Sequence, residues 1–519
     1  MGERRNDADR RERGAERTGG AAEGYARVGA PTDRATQDET AETAALTGDF
    51  ERDVAEIDRR LRVGESFDLL RREVRTGEDR LVVYGVDGLI KDAELQKTLQ
   101  TLQARRTLGD AQTFALSVLP AVEITHTGEI GALITAVLSG EVAFVASSFG
   151  AAALTADLRT YPTRDVAEPE TDKVMQGAKD GFVETLITNT ALIRRRIRDP
   201  RLTMRYRNLG GASRTDVVLC YMDGIADDGY VAMLSDKLAR LRPASLTMGY
   251  QTLAEMLAPR RWYNPFPKIR TVERPDSAAA QLMEGRVLIL CDTSPRVMVL
   301  PTSLLDYLQE TDDYYFPPLT GSYQRIIRLG MSLLALLLTP LWYLALEYAD
   351  ALPERLAFLV PTVTGALPMI WQLVLAEFAV DALKLASMNT PNMLSNSLSI
   401  IGGLILGDFA VTVGWLSPDV ILYMSLVAIS GFTQKSQEMI YAMKMLRLAL
   451  LALTALFRLP GFLVGLALIP LLLFSNRTLN GRHSYLWPLV PFDGRALGRL
   501  FFRRRKKDFR VLPPDAPRG

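Results

Sequence analysis

Apolar and polar positions divide the chain into three stretches. Residues 1–60 are dominated by Arg, Glu, Asp, Gly and Ala, with clusters such as Arg10-Arg11-Glu12-Arg13 and few large apolar side chains before Val54. Such a segment cannot bury enough apolar surface to offset the entropy of ordering it. This predicts a disordered charged tail over 1–66, ending in a short helix near Phe50–Arg62. From Phe67 to Pro318, short β-rich runs alternate with amphipathic stretches, the pattern of α/β lobes. From about Leu329 to Ser475 the chain turns strongly apolar. The predicted fold class is therefore an α/β soluble region of two related lobes followed by an α-helical polytopic membrane domain.

The two lobes are read from an internal repeat. Leu81-Val82-Val83-Tyr84-Gly85-Val86-Asp87-Gly88-Leu89 is echoed by Val217-Val218-Leu219-Cys220-Tyr221-Met222-Asp223-Gly224-Ile225. Leu138-Ser139-Gly140-Glu141-Val142 is echoed by Met283-Glu284-Gly285-Arg286-Val287. In each second motif a helix ends at a glycine, which tolerates positive φ, and a buried strand follows. The order is the same in both copies, which places lobes at 67–160 and 200–318, with 161–199 as a connector built on a helix over 172–198. The Asp-Gly pairs lack the glycine spacing of a phosphate cradle, and tight strand-to-helix turns use the same residues. In Asn189–Leu202, Leu192, Ile193 and Ile197 form one helical face, and Arg194, Arg195, Arg196 and Arg198 the other, with Pro200 ending the helix. The basic face is either solvated or docks onto lipid phosphates or an acidic neighbouring subunit.

A spanning helix needs about 20 mostly apolar residues. Spans are predicted at 329–347, 366–386, 395–416 and 446–474, within a membrane domain of 319–480 and before a basic tail of 481–519. Leu356–Pro361 and Asp419–Phe432 are apolar but short, which suggests re-entrant segments. The last stretch is overlong and interrupted by Arg458, Pro460 and Gly461, so the pattern leaves open whether it crosses once or twice. Arg325 and Arg328 before the first span, and Arg503-Arg504-Arg505-Lys506-Lys507 near the other end, put both flanks in the cytosol and an even number of crossings between them. The same basic residues suit anionic lipid.

Inside the apolar block, Glu377 and Asp381 are four residues apart and project from one helical face, with Lys384 three residues further on. Charge in hydrocarbon costs at least ~2.5–3.5 kcal/mol on insertion scales, so these groups should face a bundle interior, a partner or water. With Asp408 they are the pore-lining candidates; the competing reading is an internal Asp381–Lys384 pair with Glu377 near the interface. Gly402, Gly403 and Gly407 give a small-residue surface for close helix packing. Thr433–Glu438 is a polar cluster read as a pore mouth or an exposed loop.

Composition narrows the function classes. Sixty-one Lys+Arg against 60 Asp+Glu give a net charge of +1, so no global excess argues for nucleic acid. Two cysteines and two distant histidines, His126 and His483, cannot build a disulfide framework or a local zinc site. No nucleophile–base set stands out, so the expectation is no enzyme and no cofactor. The opening residues lack the apolar core of a secretion signal, which keeps the soluble half in the cytosol.

Several motifs in order resemble the GerA family, the A subunits of bacterial spore germinant receptors. They are Asn189–Leu202, Tyr221-Met222-Asp223-Gly224-Ile225-Ala226, Pro265-Phe266-Pro267, Thr271-Val272-Glu273-Arg274-Pro275-Asp276, Glu284-Gly285-Arg286-Val287, Asp292-Thr293-Ser294-Pro295, Asp313-Tyr314-Tyr315, Ile400-Ile401-Gly402-Gly403 and Ser417-Pro418. The ending Tyr485–Phe492 and the basic run after it are similar to the sporulation stage V branch of that family. The resemblance implies a protein of the spore inner membrane with cytosolic α/β lobes. It further implies a homo-oligomeric, ion-conducting assembly that works beside other germination membrane proteins and passes monovalent cations during germination. A non-conducting membrane scaffold that clusters receptor subunits is the alternative.

Overall fold

The computed structural model describes residues 44–502, apart from 104, 120, 122, 161–176, 259–262, 311, 390–401, 404–408, 477–478 and 480–484. Most of the predicted tail, together with Gly407, Asp408 and Arg503 to Arg505, lies outside the described residues.

The repeat becomes two lobes of one topology. Lobe 1 runs α1 (Phe50–Leu61), β1 (Leu69–Thr76), β2 (Asp79–Val86), α2 (Asp92–Gln103), α3 (Ala111–Ser117), β3 (Ile124–Thr127), α4 (Ile130–Leu138), β4 (Val142–Ala146) and β5 (Ala153–Ala156). Lobe 2 repeats the order as α5 (Leu186–Arg196), β6 (Leu202–Leu209), β7 (Thr215–Met222), α6 (Asp228–Arg240), α7 (Tyr250–Leu257), β8 (Arg270–Val272), α8 (Pro275–Met283), β9 (Val287–Cys291) and β10 (Val297–Leu300). The sheets are ordered β1-β2-β4-β5-β3 and β6-β7-β9-β10-β8, with every pairing antiparallel.

Both faces of each sheet are covered, which explains why the central strands read as unbroken apolar runs rather than alternating ones. In lobe 1, Val83 and Phe144 meet Leu102 and Phe114 of α2 and α3, while Val82 and Val145 meet Ile57 and Leu133 of α1 and α4. Lobe 2 copies this, with Leu219 and Ile289 on α6 and α7, and Val218 and Leu288 on α5 and α8. The echoed glycines do what their positions require: Gly88 and Gly224 turn at φ 77° and 72°, and Gly140 and Gly285 end their helices at φ 99° and 86°. The connector helix is shorter than predicted. Residues 177–185 are non-helical, and α5 begins only at Leu186.

The helical block consists of α9 (Pro318–Glu347), α10 (Met369–Asn389), α11 (Pro418–Phe432), α12 (Gln437–Ser475) and, beyond it, α13 (Gly494–Phe501). Among the described residues, two helices, α9 and α12, are long and apolar enough to cross a membrane. Directions follow from contacts. Helix α9 starts beside lobe 2 and ends at Glu347, which pairs with Arg458 at 3.2 Å. Helix α10 begins near that far end, where Met369 and Ile370 lie by Trp342, and returns until Lys384 meets Gln437. Gly414 accepts from Ala366 N at 2.7 Å, again at the far end.

Helix α11 then comes back. Ser417 caps its start, and Gln434, just past its end, bonds Arg328 O and Ser332 Oγ. The stretch 419–432 lies in one helix, which a serine cap and Pro418 at its first turn start cleanly. Helix α12 would be about 58 Å long if straight. It folds into a hairpin instead, with Arg458 in a non-helical conformation (φ 52°, ψ −134°). A Cβ at Gly461 or Gly465 would run into Leu453 and Leu450, so these glycines let the two legs close. The second leg returns to lobe 2, where Asn264 Nδ2 donates to Leu472 O at 3.0 Å. The predicted single stretch 446–474 therefore goes out and back, and the chain leaves the block on the side where it entered.

Candidate functional site: buried charge in the helical block

Helix α10 carries the predicted acid pair, and the structure brings it to α12. Glu377, 7% exposed, accepts from Arg447 Nη2 at 2.6 Å and pairs with Lys444 Nζ at 2.9 Å. Lys444 also bonds Asp381. The second terminal nitrogen of Arg447 donates to Ala335 O of α9, so one guanidinium ties three helices together. Spacing explains the match: residues four apart on α10 and three apart on α12 each fall on one helical face. Two carboxylates against two cations leave no net charge, which offsets the cost of removing them from water.

The internal Asp381–Lys384 pair is absent. Lys384 instead donates to Gln437 Oε1 at 2.8 Å and sits over the Tyr441 ring at 5.2 Å. A Cβ on Gly402 would run into Leu383 of α10, whereas one on Gly403 would find open space; the packing surface is thus engaged at Gly402.

A second ionic centre joins the block to lobe 2. Asp313, fully buried, accepts from Arg325 Nε at 2.9 Å and from both terminal nitrogens of Arg328 at 3.2 and 2.7 Å. Arg328 also reaches Leu308 O at 2.5 Å and Glu310 at 3.4 Å, and Lys435 lies 4.0 Å from Glu310. The polar cluster at 433–438 is therefore tied into the block rather than a free loop. Its Gln434 and Lys435 turn toward α9 and the segment that follows lobe 2, and Ser436 caps α12.

The arginine run on α5 needs correction. Arg194, expected on a charged outer face, is fully buried; its Nε donates to Asp68 Oδ2 at 2.8 Å and its Nη2 to Leu202 O at 2.8 Å. It is the core of the lobe contact, alongside Ser66 Oγ, which accepts from Met204 N at 2.9 Å. The helix packs against both lobes, so its side opposite Leu192 is not solvent. Arg196 pairs with Asp180, and Arg195 and Arg198 are exposed. Nearby, Arg62 pairs with Asp223 at 2.8 Å.

Titration in the lobes follows burial and pairing. Burial, helped by Asp92 and Asp68, raises the Asp87 carboxyl. Burial also works against ionised Asp276, but hydrogen bonds from Arg274 and Tyr315 prevail and hold it below the usual carboxylate range. Burial pushes the Cys291 thiol up to about 12 and raises that of Cys220 as well, so neither is a thiolate near neutrality.

Lys444 and Arg447 were not singled out from the pattern, and Asp313 entered only as part of a motif of the resemblance. The signal for the first two was present, two cations three apart in an apolar helix, but they fall just before and at the start of the span drawn from 446.

The family described as Bacillus/Clostridium GerA spore germination protein matches residues 56–513. Stage V sporulation protein AF of Bacillus subtilis (strain 168) is 35% identical over 458 residues, 88% of this chain and 92% of that one. The chain belongs to the GerA spore germination family. Among other GerA relatives, Spore germination protein KA of Bacillus subtilis (strain 168) is 26% identical over 85% of this chain and 82% of its own. Spore germination protein GerLA of Bacillus cereus is 25% identical over 87% and 91%. One solved structure is the N-terminal domain of the A subunit of the Bacillus megaterium spore germinant receptor GerK3. It covers 50% of this chain and 97% of its own at 22% identity and a TM-score of 0.36.

Proposed function

We propose that this GerA-family protein is a subunit of an oligomeric, ion-conducting assembly in the spore inner membrane, with both termini on the cytosolic side, that releases monovalent cations such as K⁺ during germination. The observation that carries the reading is the ionic cluster of Glu377, Asp381, Lys444 and Arg447 inside apolar helices. Ionisable groups are costly and rare at membrane depth and mark ion pathways by default. Glu377, Asp381 and Asp408 are the carboxylates that would favour cations. The out-and-back course of α12 supports an even number of crossings and hence termini on one side. Gly402, Gly403 and Gly407 serve helix approach, and Arg495, Arg499 and the basic run 503–507 meet anionic lipid. Other germination membrane proteins are the expected partners.

One observation favours a second reading, a non-conducting scaffold: the two acids are already neutralised by two cations of the same chain and need no water path. Reconstituting the full chain in liposomes and measuring its stoichiometry together with K⁺ flux separates the two. Multimers that release K⁺ support the channel; multimers that hold a K⁺ gradient support the scaffold.

A further inference from the structure

Helix α10 is attached unevenly. Its apolar residues Leu373 and Ala376 sit with Val420 and Met424 of α11, Trp342 of α9 and Leu451 of α12, and its backbone runs beside α11 more extensively than beside α12. Further along, charge adds to its link with α12. Lys444 reaches both Glu377 and Asp381, and Arg447 bridges Glu377 to Ala335 of α9. Glu377, Lys444 and Arg447 are all more than nine-tenths buried, whereas the Asp381 side chain is 34% exposed. The cluster therefore opens to the outside at the Asp381 end. Arg447 Nε, itself buried, has no acceptor, so the guanidinium is held by its two terminal nitrogens alone.

From this geometry we infer that Lys444 and Arg447 are built-in counter-ions that keep the α10 carboxylates occupied and the α10–α12 seam shut. The inference rests on the channel reading and adds its closed state. The Lys444 ammonium stands where a permeating monovalent cation would have to stand, between Glu377 and Asp381. The carboxylates cannot serve an external cation until α12 withdraws Lys444, and withdrawal starts from the less buried Asp381 side. A link made of ion pairs suits such a switch, because an arriving cation can replace an ammonium one for one, whereas interdigitated apolar packing offers no equivalent exchange. Lys384 does not compete for Asp381, being engaged by Gln437 and Tyr441.

The test uses the full chain in liposomes with K⁺ as the only permeant cation and two readouts. The first is K⁺ efflux without any stimulus. The second is the distance between spin labels at L385C and M445C, exposed positions on α10 and α12; the native Cys220 and Cys291 are buried and do not compete for label. The variant K444Q/R447Q should lengthen or broaden the label distance and raise basal efflux roughly 5- to 150-fold, the usual range of a coupling between two sites. The charge-keeping K444R/R447K, which leaves a cation opposite each carboxylate, should keep the short distance and low efflux, and it guards against a variant that merely misfolds. Efflux unchanged in K444Q/R447Q while the wild type conducts overturns the latch and leaves the channel standing. An unchanged label distance overturns it whatever the flux. A longer distance with no flux from any form retains the helix clamp and refutes conduction.

Discussion

Arg194 and Asp68 offer the sharpest energetic test of how the lobes are joined. Arg194 is 0% exposed and Asp68 1%, and the guanidinium also serves Leu202 O and Asp199 O. Asp68→Ala strands that charge away from water, a change worth about 3–5 kcal/mol. Since ~1.4 kcal/mol is tenfold, the closed-to-open ratio at the lobe contact should fall roughly 150- to 5,000-fold. Removing both partners, as D68L/R194M, takes away the stranded charge and leaves the carbonyls of Leu202 and Asp199 without their donor and the Ser66 hydroxyl without its acceptor, uncharged groups that each cost less than a buried charge. The double variant should therefore be less damaged than D68A alone. Amide hydrogen exchange read at β1, α5 and β6 is the suitable assay, because it reports local opening. Protection unchanged in D68A, or a double variant as exposed as the single, would refute the reasoning.

Three further outcomes follow. Asp313→Ala leaves the buried Arg325 and Arg328 without their shared carboxylate and should cost about 3–5 kcal/mol, seen as earlier thermal release of α9 from lobe 2 in detergent. Asp276 has a folded pKa below its unfolded one, so its contribution is present above the usual carboxylate value of ~3.9 and lost as pH falls through the folded value; D276N should show a flatter acid-unfolding profile than the wild type. Gly465→Leu should push the α12 legs apart and cost about 1–3 kcal/mol as overpacking, visible as increased proteolysis near Arg458.

Local signals carried most of the lobes. The echoed Asp-Gly and helix-Gly motifs gave the duplication because a positive φ at a turn is a property of one residue and its neighbours. The same signals could not give the sheet order, which depends on strand partners far apart in sequence, nor the likeness of Asp53 and Asn189. Each of those side chains caps the loop before its helix, accepting from Thr47 N at 2.9 Å and from Val183 N at 2.8 Å. Arg194 was misplaced because helical periodicity assumes one buried face, and α5 has neighbours on two. The acid pair was legible from its spacing within one helix. Its partners were not, since the register between α10 and α12 is set by the hairpin at Arg458 and the packing of α9, which no window along the chain contains.

The central claim is that the α10 carboxylates act on ions passing through an assembly of this chain. K⁺ flux through liposomes carrying matched amounts of wild type, E377Q and D381N, with assembly checked in each, tests it most directly. The account predicts that both variants assemble and that both pass K⁺ at altered rates, D381N more slowly than the wild type. Flux and selectivity identical to the wild type in both variants would contradict it.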